Sequence, residues 1–213
     1  MKAGTLLRPA VLAAAALLAA GCISVNVGSS GAAPTTYVLN DAGAGAAGKA
    51  PPAAAVLLTL VQPGDPAADS LRIAYAPRAG ERATYELARW NERPDRRIPV
   101  LLQQRLLARG AFGAVQPLGQ LAGDWLLTLS VQEIYHDLAT NPTQARLTLH
   151  VELIDRRTRS LVARRVESAA ASAARNDPAA AVQAFDRALA QALDALGPWI
   201  EDEVRRAAGA AKR

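Results

Sequence analysis

Two stretches constrain the architecture more than any others in the chain. Trp125, Leu127, Leu129 and Val131 alternate with Thr128, Ser130 and Gln132, and Leu147, Leu149, Val151 and Leu153 alternate with Thr148, His150 and Glu152. A period of two is that of a strand with one buried and one polar face. The polar cluster Asp155 to Ser160 is a hairpin-sized connection from the second stretch to Leu161, Val162 and Val166. The strands on either side of it are therefore expected to pair antiparallel.

Weaker strand signals precede these. Ala54 to Val61 is a short apolar run between Pro51-Pro52 and Pro63-Gly64, as in a strand buried on both faces. Leu71, Ile73 and Tyr75 alternate with Arg72 and Ala74, Tyr85 to Trp90 continues the pattern, and Phe112 with Val115 marks a short strand. Two segments carry a helical period instead. Ile98, Leu101, Leu102 and Leu106, with Arg105 and Arg109 opposite, form one stripe that ends at Gly110, a residue suited to a left-handed cap. The second has Asp177 as N-cap, Pro178 in the first turn and a stripe of Val182, Phe185, Leu189, Leu193 and Leu196. Gly197-Pro198 is expected to break or kink it before Trp199-Ile200, and residues 205–213 to form a frayed basic tail. The sum is an α+β fold over residues 35–204: a single domain, its sheet mainly antiparallel, with two amphipathic helices on one face.

The N-terminus reads as a processing signal. Lys2 and Arg8 are followed by Ala, Leu and Val up to Ala20, a run too short to span a bilayer but right for a secretory signal. Leu18-Ala19-Ala20-Gly21-Cys22 places the single cysteine of the chain behind small residues, where it resembles a bacterial lipobox. Residues 1–21 are then removed, Cys22 is lipidated, and residues 22–34, rich in Ser, Gly and Ala, form a flexible tether. Stable anchoring needs more than one acyl chain, which a lipoprotein amine terminus supplies. Ile23 after the cysteine, rather than an inner-membrane-retaining aspartate, favours the outer membrane, facing the periplasm. Removal of the signal takes Lys2 and Arg8 with it, so the formal charge of +5 overstates the basic character of the mature chain.

Little in the sequence points to catalysis. One cysteine excludes internal disulfides and multi-thiolate metal sites. Gly43-Ala44-Gly45-Ala46-Ala47-Gly48 satisfies the dinucleotide spacing, yet Pro51-Pro52 follow where a phosphate-binding helix would have to start. His136 and His150 lie on strands without an evident partner, no serine sits in a G-x-S-x-G elbow, and no G-x-x-x-x-G-K-[ST] loop occurs. An enzyme, a metal site and a bound cofactor are not expected.

The stretch Tyr85 to Phe112, with Arg89-Trp90, Pro94, a leucine-rich helix and Gly110-Ala111-Phe112, resembles the ABC-type transport auxiliary lipoproteins, the family of paraquat-inducible protein C. Tyr37-Val38-Leu39, Ile73-Ala74-Tyr75, Leu153-Ile154-Asp155 and the Asp177-Pro178 helix ending at Trp199-Ile200 extend the likeness over nearly the whole mature chain. Glu86 departs from the pattern, which more often has an aromatic residue there. The resemblance implies an accessory subunit of a mammalian-cell-entry (MCE) type lipid transport system. The MCE-domain protein, permease and ATPase would be separate chains, and the lipid anchor would hold this one to the membrane. Readings of other kinds are an outer-membrane assembly lipoprotein, similar to the small subunit of the lipopolysaccharide translocon, or a structural envelope lipoprotein. A homo-oligomer is left open.

The basic groups Arg96-Arg97, Arg156-Arg157-Arg159 and Arg164-Arg165 could meet anionic headgroups or an acidic partner, or be solvated surface in a chain with three lysines against twenty-one arginines. An exported protein rarely meets nucleic acid, so that partner is not expected. The outward residues Thr128, Ser130, Gln132, Thr148, His150 and Glu152 make one sheet face polar, and the helices need the other, which favours an adaptor over a lipid shuttle. Tyr85, Trp90 and Trp199 are the candidate partner contacts, because aromatic side chains supply large contact area. Core packing is the competing role for each.

Overall fold

The computed structural model describes residues 32–43 and 53–210, so the signal, Cys22, most of the tether and the glycine motif beyond Gly43 lie outside the described residues. Residues 33–213 form one compact unit. Its elements are β1 (Thr35–Tyr37), β2 (Ala53–Val61), β3 (Arg72–Ala76), β4 (Ala83–Trp90), α1 (Pro94–Arg109), β5 (Phe112–Pro117), β6 (Trp125–Asp137), β7 (Gln144–Asp155), β8 (Ser160–Ser172) and α2 (Pro178–Ala210).

The two alternating stretches are the long strands β6 and β7, which pair antiparallel along their full length, and β7 pairs β8 in the same sense across the expected turn. The free edge of β6 is shared. Leu57–Val61 of β2 lie parallel to Trp125–Leu129, and Tyr75 and Ala76 of β3 lie parallel to His136 and Asp137. The sheet therefore forks at β6, one branch continuing to β5 and the other through β4 to β1.

The long ladders are antiparallel as expected, and shorter parallel pairings make the sheet mixed. β2 runs parallel to both β5 and β6, and β1 parallel to β4. For β5 the reason is connectivity: α1 carries the chain back to the β2 edge, where β5 runs the same way as β2. Past the end of β2 the chain stays on β6 as far as Asp65, Gln62 N–H donating to the Leu129 carbonyl (2.8 Å) and Asp65 N–H to that of Val131 (2.7 Å). Gly64 makes this possible, because a Cβ there would collide with the Val131 carbonyl oxygen.

Both helices cover one face of the sheet, α2 against β7 and β8 and α1 against β2, β5 and β6, and the two helices touch. Leu57, Trp90, Ile98, Leu102, Leu127, Leu149, Leu153, Phe185 and Leu193 belong to one continuous core. Asp177 caps α2 as expected, its Oδ1 accepting the Ala180 N–H at 2.8 Å, and Gly110 ends α1 at φ 71°.

Gly197-Pro198 does not break α2, which continues through both residues to Ala210. Proline forfeits one N–H bond, and burial of this face against the strands outweighs that loss. The expected frayed tail is helical as far as Ala210, with Arg205 paired to Asp202 (2.7 Å) and Arg206 to Glu203 (2.6 Å) one turn apart.

Candidate interaction site

The β3–β4 ladder carries a large shift of register. Arg72 stands opposite Arg89 and Ala74 opposite Thr84, so Ile73 alone spans the four residues 85–88 of the facing strand. Such a bulge re-aims side chains and interrupts pairing. Here it leaves Leu87 exposed and opens a cleft of about 440 Å³ lined by Pro34, Leu71, Arg72, Tyr85, Glu86, Ala88 and Arg89.

Tyr85 turns inward at the bulge. Its ring centroid is 4.7 Å from that of Tyr75, and its hydroxyl is 2.8 Å from Nδ1 of His136. His136 is fully buried, and among the described residues its Nε2 meets no hydrogen-bond partner. Burial pushes the Tyr85 phenol up to about 12, with Tyr75 and Asp177 adding to the effect. Burial also holds His136 below its ordinary value, against the pull of Asp137 and Asp177. Both groups are therefore neutral at pH 7 and share one hydrogen bond, whose donor is set by the imidazole tautomer. The pair ties the bulge of β4 to β6. Asp137 beside it is taken up by Arg146, Nε to Oδ2 2.7 Å.

The three expected contact residues do not share a surface. Trp90 is 2% exposed and meets the edge of Phe185 at 5.6 Å, which makes it a core residue. Tyr85 is half-buried under the bulge. Trp199 is half-buried on α2, 5.9 Å from the Arg165 guanidinium of β8, and β3, β6 and β7 lie between β8 and β4.

The helix-free face is polar but bonded within itself. Thr148 meets Glu133 and Ser168, each at 3.1 Å, and Arg164 donates to Glu152 at 2.8 Å, with His150 Nε2 3.8 Å from the same carboxylate. Gln132 donates to Ser130 at 2.7 Å. Thr128 and Ser130, expected to face water, are buried. Several basic groups are likewise engaged: Arg97 on the Leu39 carbonyl, Arg156 on that of Gly123, and Arg165 on Glu167.

Two arginines placed on the solvent side of α1 turn out to join the elements. Arg105, 4% exposed, bonds Asp41, Asp194 and the Gly43 carbonyl. Burial alone would lower its pKa, but the bonds to Asp41 and Asp194 more than offset this and hold it above the ordinary value. Arg109 forms a two-pronged pair with Glu201 and crosses α2 at Gly197, where a Cβ would lie 3.0 Å from Arg109 Cδ. The first glycine of the dinucleotide-like motif thus serves as an acceptor for Arg105. The signal for this clamp was the i, i+4 spacing of Arg105 and Arg109 facing Asp194 and Glu201, seven residues apart on α2.

Among the described residues no group of three His, Cys, Asp or Glu side chains is arranged to hold a metal, and no helix is long and apolar enough to cross a membrane. A family model for the ABC-type transport auxiliary lipoprotein component matches residues 37–197. No curated protein matches the chain. Among solved structures, protein XCC0632 from Xanthomonas campestris, of family DUF330, is 24% identical, covering 82% of this chain and 99% of its own with a TM-score of 0.74. An uncharacterized protein is 14% identical over 79% of this chain and 99% of its own, TM-score 0.61. Protein CT253 from Chlamydia trachomatis is 11% identical over 71% of this chain and 98% of its own, TM-score 0.47.

Proposed function

Because the chain belongs to the ABC-type transport auxiliary lipoprotein component family, we propose that it is the lipid-anchored accessory subunit of an MCE-type lipid transport system. In this reading Cys22 carries the anchor, the outer membrane holds it, and the domain docks the transport machinery from the periplasmic side. It works as an adaptor, while lipid and ATP are handled by other chains.

The observation that carries the adaptor reading is the occupancy of both sheet faces. The helices and one continuous core fill the first, and ion pairs and hydroxyl bonds such as Arg164–Glu152 and Thr148–Ser168 close the second. A lipid carrier needs an apolar cavity that excludes water around an acyl chain. The test is to extract the full-length protein in detergent, crosslink it, identify what it holds, and measure bound lipid by mass spectrometry. MCE-domain, permease or ATPase chains recovered with it, and no stoichiometric phospholipid beyond the anchor, are the expected result. Bound phospholipid in a one-to-one ratio overturns the adaptor role.

A further inference from the structure

Pro34, at the start of the described domain, lines the cleft under the β4 bulge, so the tether leaves the domain beside it. Leu71 and Leu87 are 44% and 55% exposed at this end of the sheet. Arg72 and Arg89, both exposed, face each other across the β3–β4 ladder. Like charges placed directly opposite each other weaken a ladder. Arg89 donates to the Thr36 hydroxyl at 3.2 Å, and among the described residues neither arginine forms an ion pair. Arg82 shares an adjoining cleft with Arg72, and Glu86 is the carboxylate in the cleft itself. Three arginines against Glu86 and Asp65, which lines the adjoining cleft, leave a positive excess of one. This contrasts with β8, where Arg164 and Arg165 are each matched by a glutamate.

We propose that this end of the sheet is a membrane-contact surface, with anionic phospholipid headgroups seated between Arg72 and Arg89 while Leu71 and Leu87 enter the acyl boundary. The inference rests on the anchored reading above. Twelve residue steps run from Cys22 to Pro34, a reach of about 40 Å at full extension and nearer 20 Å as a coil, so the edge holding Pro34 stays within reach of the bilayer. Two partly exposed leucines and a few arginines bind weakly by themselves. On a tethered domain the contact becomes intramolecular, so a weak interaction is enough to fix which way the domain faces. The bulge thereby serves orientation, presenting the opposite end of the sheet to a partner.

The experiment uses the compact unit 33–213, which has its own core and no anchor, with concentrated vesicles of phosphatidylcholine alone or mixed with phosphatidylglycerol. Partition onto the mixed vesicles only, weakening with added salt, is expected. The double variant Arg72→Gln/Arg89→Gln should lower it by roughly twenty-five-fold, at about fivefold per arginine. Leu87→Ser should lower it severalfold, and Arg164→Gln/Arg165→Gln should leave it unchanged. Unaltered circular dichroism in the variants keeps the comparison one of surfaces. No partition at millimolar lipid, partition indifferent to phosphatidylglycerol, or an equal loss in the Arg164/Arg165 variant overturns the proposal. Lipid labelling of Cys22 in the full chain is a separate readout, so failure of the anchor is distinguishable from failure of the surface.

Discussion

Arg109 reaches over Gly197 to bond Glu201 with two nitrogens, which ties the last turn of α1 to the middle of α2. Both side chains are largely withdrawn from water, so removing one strands the other. Glu201→Leu is expected to destabilise the domain by about 3 kcal/mol in urea unfolding. The double variant Arg109→Leu/Glu201→Leu should recover most of that loss. A double variant no better than the single one would mean that the pair does more than cancel its own burial.

Gly64 gives the most severe single backbone test. A Cβ there meets the backbone carbonyl of Val131, which cannot rotate away as a side chain can. Gly64→Ala should cost about 3 kcal/mol of stability and loosen amide protection at Gln62 and Asp65, whose N–H groups bond β6. Hydrogen exchange followed by mass spectrometry reads both effects.

The Tyr85–His136 pair predicts behaviour at alkaline pH. The Tyr85 phenol is raised from its ordinary 10.0 to about 12, so between these values the unfolded chain releases a proton that the folded chain keeps. Its contribution to stability is present below pH 10 and lost as pH rises through about 12. Phenolate absorbance should show a late step near 12 that Tyr85→Phe removes.

The same pair predicts an acid limb. His136 is held below its ordinary value, so the unfolded chain takes up a proton before the folded one does. Stability should be complete above about pH 6.5 and should fall as pH drops below it. In the variant Tyr85→Phe/His136→Leu, urea midpoints at pH 5 and pH 7.5 should lie closer together than in the parent.

Asp177 adds a second acid-sensitive group at the start of α2. The Ala180 N–H, with Arg175, holds its carboxyl below the usual value, so its contribution is present above the ordinary carboxylate pKa and lost as pH falls through the lowered one. Asp177→Ala should lower the melting temperature at pH 7, with the difference shrinking toward pH 2. Asp177→Asn, which keeps the acceptor, should lose less.

Much of this fold is written locally. The period of two in residues 125–131 and 147–153 identified β6 and β7, and the Asp177-Pro178 and Gly110 signals bounded the helices, because each reports a preference of its own segment. The parallel branch was not legible, since it depends on where α1 returns the chain and on the contact between Gly64 and Val131. The clamp was missed for a different reason: a stripe of leucines assigns neighbouring arginines to water, and only the facing helix reveals their acceptors. Trp90 and Tyr85 show the same limit within one strand. Five residues apart and so on opposite faces of a strand, one is enclosed by Phe185 and the other lines an open cleft, partners that the strand's own segment does not report.

The fork at β6 also bears on how the domain is built in time. The β2–β5 and β3–β4–β1 branches share no ladder with each other; both are joined only by Trp125–Asp137. A chain that emerges N-terminus first presents β1 to β5 before the strand that joins them exists. The two branches cannot be joined into one sheet until β6 arrives, so the completed fold depends on contacts distant in sequence and forms late.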